Sequence, residues 1–99
     1  MIKQAILIRK LPEGLMPQNI GEMSFAHDVP ISGLETRSEW RVKLPCGHTI
    51  ALVEPTHQVF ETNEKSSGGG NYGITVHPSI VCPSGDWHGF IAYSRMTEV

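Results

Sequence analysis

Apolar and polar residues alternate in this chain over short stretches only. Trp40-Arg41-Val42-Lys43-Leu44 alternates cleanly and predicts a strand with one buried face. After Pro45-Cys46-Gly47-His48, the run Thr49-Ile50-Ala51-Leu52-Val53 predicts the returning strand, and the two make the clearest hairpin in the sequence. Residues 2–9, with Ala5-Ile6-Leu7-Ile8 as the apolar part, predict an earlier strand. Residues 22–27 alternate weakly, with Met23 and Phe25 on one face. Shorter strands are predicted over 57–61, 72–77 and 90–95, and Phe90 and Ile91 face opposite ways in the last of them. Residues 11–17 are interrupted by Pro12, Gly14 and Pro17 and predict a loop with one helical turn at most. Residues 28–38 are rich in turn formers and predict a connection. Residues 63–71 hold three adjacent glycines and predict a flexible loop. Seven prolines argue against long helices. The expected fold is all-β, mainly antiparallel, with about six short strands, little helix and one small domain over residues 1–99.

Size and charge narrow the function. A chain of 99 residues buries roughly 60–68% of its unfolded surface, so a covalent or metal staple would stabilise it considerably. Eight basic residues against ten acidic ones give a net charge of -2, which lacks the basic footprint of a nucleic-acid binder. The apolar run of residues 5–8 is too short for a signal sequence or a membrane span. The expectation is therefore a cytoplasmic protein that engages neither nucleic acid nor membrane. In that compartment two cysteines read as thiols or metal ligands, with a Cys46–Cys82 disulfide as the competing reading in an oxidising one.

Cysteine and histidine recur as a pair, first as Cys46-Gly47-His48 and then as Cys82 and His88. Two thiolates and two imidazoles suit a closed tetrahedral zinc site. The thiolates cancel the charge of the dication, so the filled site is cheap to bury. Residues i and i+2 of a flat strand lie roughly 6.5–7 Å apart, too far for one ion. Gly47 removes that obstacle, because glycine adopts positive φ and folds Cys46 and His48 around one point. A Pro-Ser-Gly-Asp turn can bring Cys82 and His88 together in the same way. The predicted ligands of a structural Zn2+ are thus Cys46, His48, Cys82 and His88, with His77 or Asp86 as substitutes. The zinc would staple the hairpin to the rest of the fold. His27 and His57 read as surface residues.

Two catalytic alternatives fit less well. A Cys46 nucleophile would need a base from elsewhere in the fold, and His48 shares its own tight turn. Thr75-Val76-His77-Pro78 followed by Ser84-Gly85-Asp86 resembles the zinc motif of JAMM-type isopeptidases. However, Thr75 occupies the place of the first histidine, and the second segment is one residue short.

Several short segments occur together in order: Leu11-Pro12-Glu13-Gly14-Leu15, Leu44-Pro45-Cys46-Gly47-His48, Ile74-Thr75-Val76-His77-Pro78-Ser79-Ile80 and Trp87-His88-Gly89-Phe90-Ile91. From Leu11 to Ala92 the chain resembles a family of small phage and bacterial proteins known only as a domain of unknown function. Its members carry a Cys-Gly-Cys or Cys-Gly-His turn, a Pro-Ser-Ile segment, and a cysteine and histidine before an aromatic residue. The family sets its late cysteine nearer the histidine, around Gly85, whereas here Cys82 is the candidate. The resemblance implies a metal-binding fold found in phage genomes and in bacterial clusters with ubiquitin-like conjugation components. It brings no activity with it. The expected function is a phage-encoded, non-enzymatic module that binds an unidentified protein, of no implied oligomeric state. The alternative is a metal-dependent hydrolase or a factor linked to ubiquitin-like conjugation, which an open coordination position beside Glu54 or Asp86 would favour.

Overall fold

A computed structural model of the chain describes residues 5–54, 56–62 and 73–99. Nine strands and no helix form among the described residues. They are β1 (Ile6–Leu7), β2 (Arg9–Lys10), β3 (Glu22–Ser32), β4 (Glu35–Lys43), β5 (Thr49–Leu52), β6 (Gln58–Thr62), β7 (Gly73–Val81), β8 (His88–Ala92) and β9 (Arg95–Glu98). One sheet has the order β1-β9-β8-β7-β6 and the other β2-β3-β4-β5. Every pairing is antiparallel except β2 with β3.

Period-two alternation explains why the sheets face each other. Met23, Val42, Leu44 and Leu52 come from the four-stranded side, and Ile74, Val76, Ile80, Cys82, Trp87, Ile91 and Met96 from the five-stranded side. All are buried in one apolar cluster. The Trp40-to-Val53 hairpin is β4 and β5, paired as Trp40 with Leu52 and Val42 with Ile50.

Other segments differ from the sequence expectation. The early strand is split: Ile8 N–H donates to Ser94 O at 2.7 Å and Arg9 N–H to Gly21 O at 2.9 Å, so the chain passes between sheets there. Residues 28–38 are not a connection but the far half of the β3–β4 hairpin. Every residue from 27 to 38 is exposed except half-buried Val29. This arm leaves the core, so neither face selects for apolar residues and no alternation marks it. The register shifts between Ala26 and Val29 and between Pro30 and Ser32. Pro30 is tolerated because short β2 pairs only with Glu22 and Met23, leaving the β3 edge open beside it. The strand predicted over 72–77 runs on to Val81, with an irregularity between Val76 and Ile80 that absorbs Pro78. The final predicted strand is really β8 and β9, joined at Tyr93 and Ser94 with φ of 48° and 60°. Two-residue hairpin turns of this hand favour Asn and Gly, so the turn carries no sequence signal. Instead β7 holds it: Ile74 N–H donates to Ser94 Oγ at 2.9 Å and Tyr93 N–H to Thr75 Oγ1 at 3.1 Å. The glycine-rich segment 63–71 lies outside the described residues.

Candidate metal centre

Two turns, one from each sheet, meet at one end of the sandwich. The first follows β4. Leu44 is fully buried, its N–H donates to His48 O at 2.9 Å, and Gly47 N–H donates to Leu44 O at 2.9 Å. Gly47 sits at φ +93° with open space where a Cβ would be, so glycine serves the backbone bend and not packing. The second turn follows β7. Cys82 N–H donates to Trp87 O at 2.8 Å and Gly85 N–H to Cys82 O at 2.7 Å. Trp87 closes this turn over the core, lying against Gly89 so tightly that a Cβ there would meet its indole and Thr97 O.

The turns bring Cys46, His48 and Cys82 together, with one donor atom of each within 4.8 Å of the others. Cys46 Sγ lies 2.6 Å from Cys82 Sγ, and His48 Nδ1 lies 3.3 Å from Cys82 Sγ. Both cysteines are free thiols. Burial grades across the group: Cys82 is 1% exposed, Cys46 is intermediate and His48 faces solvent. Burial works to raise the Cys82 pKa. Contacts with the Cys46 thiol, the Ser84 hydroxyl and backbone, and nearby His48 outweigh it and bring the thiol down to about 7. Cys46 moves the other way, pushed up by burial and by its hydrogen bond to Cys82. The result is one sulfur ready to carry charge with a proton donor beside it.

This donor set can hold a metal ion. Two thiolates and an imidazole suit zinc, whose tetrahedral bonds of about 2.0–2.3 Å place neighbouring donors roughly 3.3–3.8 Å apart. His48 and Cys82 already stand at that spacing. The two sulfurs are closer and would part by roughly 1 Å around an ion.

The structure brings together three of the four predicted ligands and places His88 outside the group. Val81 and His88 are paired, both are exposed, and Cys82 turns to the opposite side. His88 Nε2 instead meets Ser79 Oγ at 3.0 Å. Parity in the sequence carried this signal: His88 is three residues from core Ile91 and shares its face with Phe90. Neither substitute joins the group. His77 stacks edge-on against Phe60 with ring centres 5.9 Å apart, and Asp86 is exposed in its turn. Ser84, noted in the sequence only within the isopeptidase-like segment, puts its Oγ 3.1 Å from Cys82 Sγ. Its signal was the Cys-Pro-Ser-Gly turn, where a hydroxyl two residues on can reach back.

The remaining histidines lie elsewhere. His27 is exposed, 3.1 Å from Glu13 Oε2 and edge-on to Phe25. Half-buried His57 meets Ser79 O at 3.2 Å and lines, with Glu54, Phe25 and Trp40, a cleft of about 320 Å³. Glu54 therefore belongs to that cleft and not to the thiols.

No family model matches the chain, and comparison with curated proteins and with solved structures finds no match.

Proposed function

We propose that this protein is a zinc-stapled β module that binds another protein and performs no chemistry of its own. The observation that carries the reading is the convergence of Cys46, His48 and Cys82 from turns of opposite sheets. An ion held there ties the two sheets together at one end, and in a small domain the binding energy of a structural ion is folding energy. Free thiols at such a site suit a reducing compartment such as the cytoplasm. No helix among the described residues is long and apolar enough to cross a membrane. A phage-encoded origin rests on the sequence resemblance.

Two surfaces support protein binding. The outer face of the five-stranded sheet exposes Leu7, Phe60, Val81 and Phe90, and the tip of the β3–β4 arm exposes Ile31 and Leu34. Exposed apolar groups gathered on one face mark interaction sites more than scattered ones do. Elemental analysis of protein purified without added metal should find about one zinc per chain. Cys46→Ser should lose it and His57→Ala should keep it. Cross-linking in host lysate should capture a partner that the double variant Phe60→Ser/Phe90→Ser loses while retaining zinc. A folded, metal-free wild type would overturn the staple, and partner capture unaffected by the double variant would overturn the assigned face.

A metal-dependent hydrolase, or a factor in ubiquitin-like conjugation, is the second reading. Three protein donors leave a tetrahedral ion one position for water, as catalytic zinc sites do. It lacks a carboxylate partner among the described residues, because no Asp or Glu joins the donor group. Zinc-dependent cleavage of an isopeptide-linked substrate, lost in Cys46→Ser, would favour it.

A further inference from the structure

The two sulfurs of the metal site are neighbours before they are ligands. Cys46 and Cys82 stand 36 positions apart in the chain and on different sheets, yet their Sγ atoms lie 2.6 Å apart. A disulfide bond is about 2.05 Å long, so the two sulfurs stand roughly 0.5 Å from bonding distance. Access is unequal. Cys82 is 1% exposed and packed in the core, whereas Cys46 is half-buried at the rim beside exposed His48. A small polar oxidant therefore reaches Cys46 first, and the buried sulfur is positioned to resolve what forms there. Among the described residues these are the only cysteines, so no third thiol competes.

We propose that Cys46 and Cys82 form a peroxide-responsive modification site, in which oxidation closes them into a disulfide and expels the ion held by Cys46, His48 and Cys82. The proposal rests on the zinc-staple reading for its metal half. The steps balance with hydrogen peroxide as the oxidant. Cys46, deprotonated as a ligand in the loaded site, attacks one peroxide oxygen, the O–O bond breaks, and Cys46 becomes a sulfenic acid while hydroxide leaves and takes up a proton. The Cys82 thiolate then attacks Cys46 Sγ; the S–S bond forms, the S–O bond breaks, and the departing hydroxide is protonated to a second water. Two electrons pass from the sulfur pair to peroxide. A neutral zinc–dithiolate, one peroxide and two protons give one disulfide, one free zinc ion and two waters. Neither oxidised sulfur remains a thiolate, and the thiolate is the metal ligand, so His48 alone is left to hold the ion.

The device exchanges one tie between the sheets for another. Reduced and loaded, the sheets are joined through the ion; oxidised, they are joined covalently at the same place. The fold survives both states, while the exposed His48 corner changes from a neutral, metal-bearing surface to a bare imidazole. Cys-x-His in the first turn supplies one group for each state: Cys46 serves in both, and His48 serves only the loaded one.

The test uses the full chain, purified under reductant, loaded with zinc and freed of excess. Stoichiometric hydrogen peroxide is added while released zinc is read with a chromogenic chelator and intact mass by mass spectrometry. The expected result is a loss of about 2 Da, the two hydrogens of a disulfide, with zinc released in proportion and both changes reversed by dithiothreitol plus zinc. His48→Ala retains both thiols and should still lose about 2 Da, so the dithiol is read even where loading is impaired. Cys82→Ala should stop at oxygen adducts on Cys46 or form intermolecular disulfides, with no intramolecular bond. Zinc-loaded wild type that keeps both thiols, or that gains oxygen without the intramolecular bond, would overturn the proposal and leave the staple standing. Wild type that takes up no zinc would overturn the staple and the expulsion with it.

Discussion

Replacing His48 by alanine tests the proposed metal site apart from the fold that positions it. His48 is exposed on its turn, and its Nδ1 lies 3.3 Å from Cys82 Sγ. Removing such a side chain costs a metal-free domain no more than about 0.5 kcal/mol. Zinc changes the comparison. Free zinc at 100 times the dissociation constant stabilises the native state by about 2.7 kcal/mol. A domain of this size shifts its Tm by roughly 4–8 °C per kcal/mol, so zinc should raise the wild-type Tm by roughly 11–22 °C. Loss of a mere supporting contact weakens metal binding by roughly 10–100-fold, and loss of a donor should reach at least the upper figure. At about 100-fold weaker binding the same free zinc sits at the variant's dissociation constant and adds about 0.4 kcal/mol, or roughly 2–3 °C. Circular dichroism melts of both proteins, each with chelator and with buffered zinc, measure all four values. Equal zinc-induced shifts would refute the assignment of His48. A large drop in chelator would show that its ring supports the turn by packing.

Three further outcomes follow from particular contacts. Glu39 is buried to 6% exposure; burial would raise its pKa, but hydrogen bonds from Arg41 at 2.8 Å and Arg37 at 3.1 Å hold it below the ordinary carboxylate value of 4.5. Its stabilisation is therefore present above pH 4.5 and lost as pH falls through the lowered folded-state value, so Glu39→Gln should cost about 1–3 kcal/mol in neutral denaturant melts and progressively less in acid. Gly89→Ala should destabilise by about 1–3 kcal/mol and alter tryptophan fluorescence, because the new methyl would occupy the Trp87 contact. His88→Ala should leave zinc content unchanged and stability within about 0.5 kcal/mol, as an exposed residue outside the donor group.

What the sequence disclosed depended on whether a residue had a core to answer to. Trp40 to Val53 was readable because β4 and β5 each press one face on the interior, and the turn between them must place Leu44 inward. Residues 28–38 were unreadable as strands for the opposite reason: both faces of the arm are wet. The Tyr93–Ser94 turn was hidden because its support comes from Thr75 and Ile74 on a neighbouring strand, which no local pattern records. At the candidate metal centre, chemistry singled out Cys46, His48 and Cys82, which the structure brings together as one donor group. It also drew in His88, where the choice of ligand by residue type overrode the facing of the strand.

The β3–β4 arm has a practical consequence. Along β4 the arm tip and the metal turn lie at opposite ends, separated by nine residues, or roughly 30 Å of strand. The arm pairs with itself and buries almost nothing, so its length is uncoupled from the interior. Foreign sequence grafted at Gly33 and Leu34 would meet open solvent. Additions of equal length to both strands at the tip keep the pairing below them, whereas one residue added to a single strand shifts the register or forces a bulge. The domain thus offers a display scaffold in which cargo is carried at one end, and the proposed metal uptake at the other would report, in the same molecule, that the carrier is still folded.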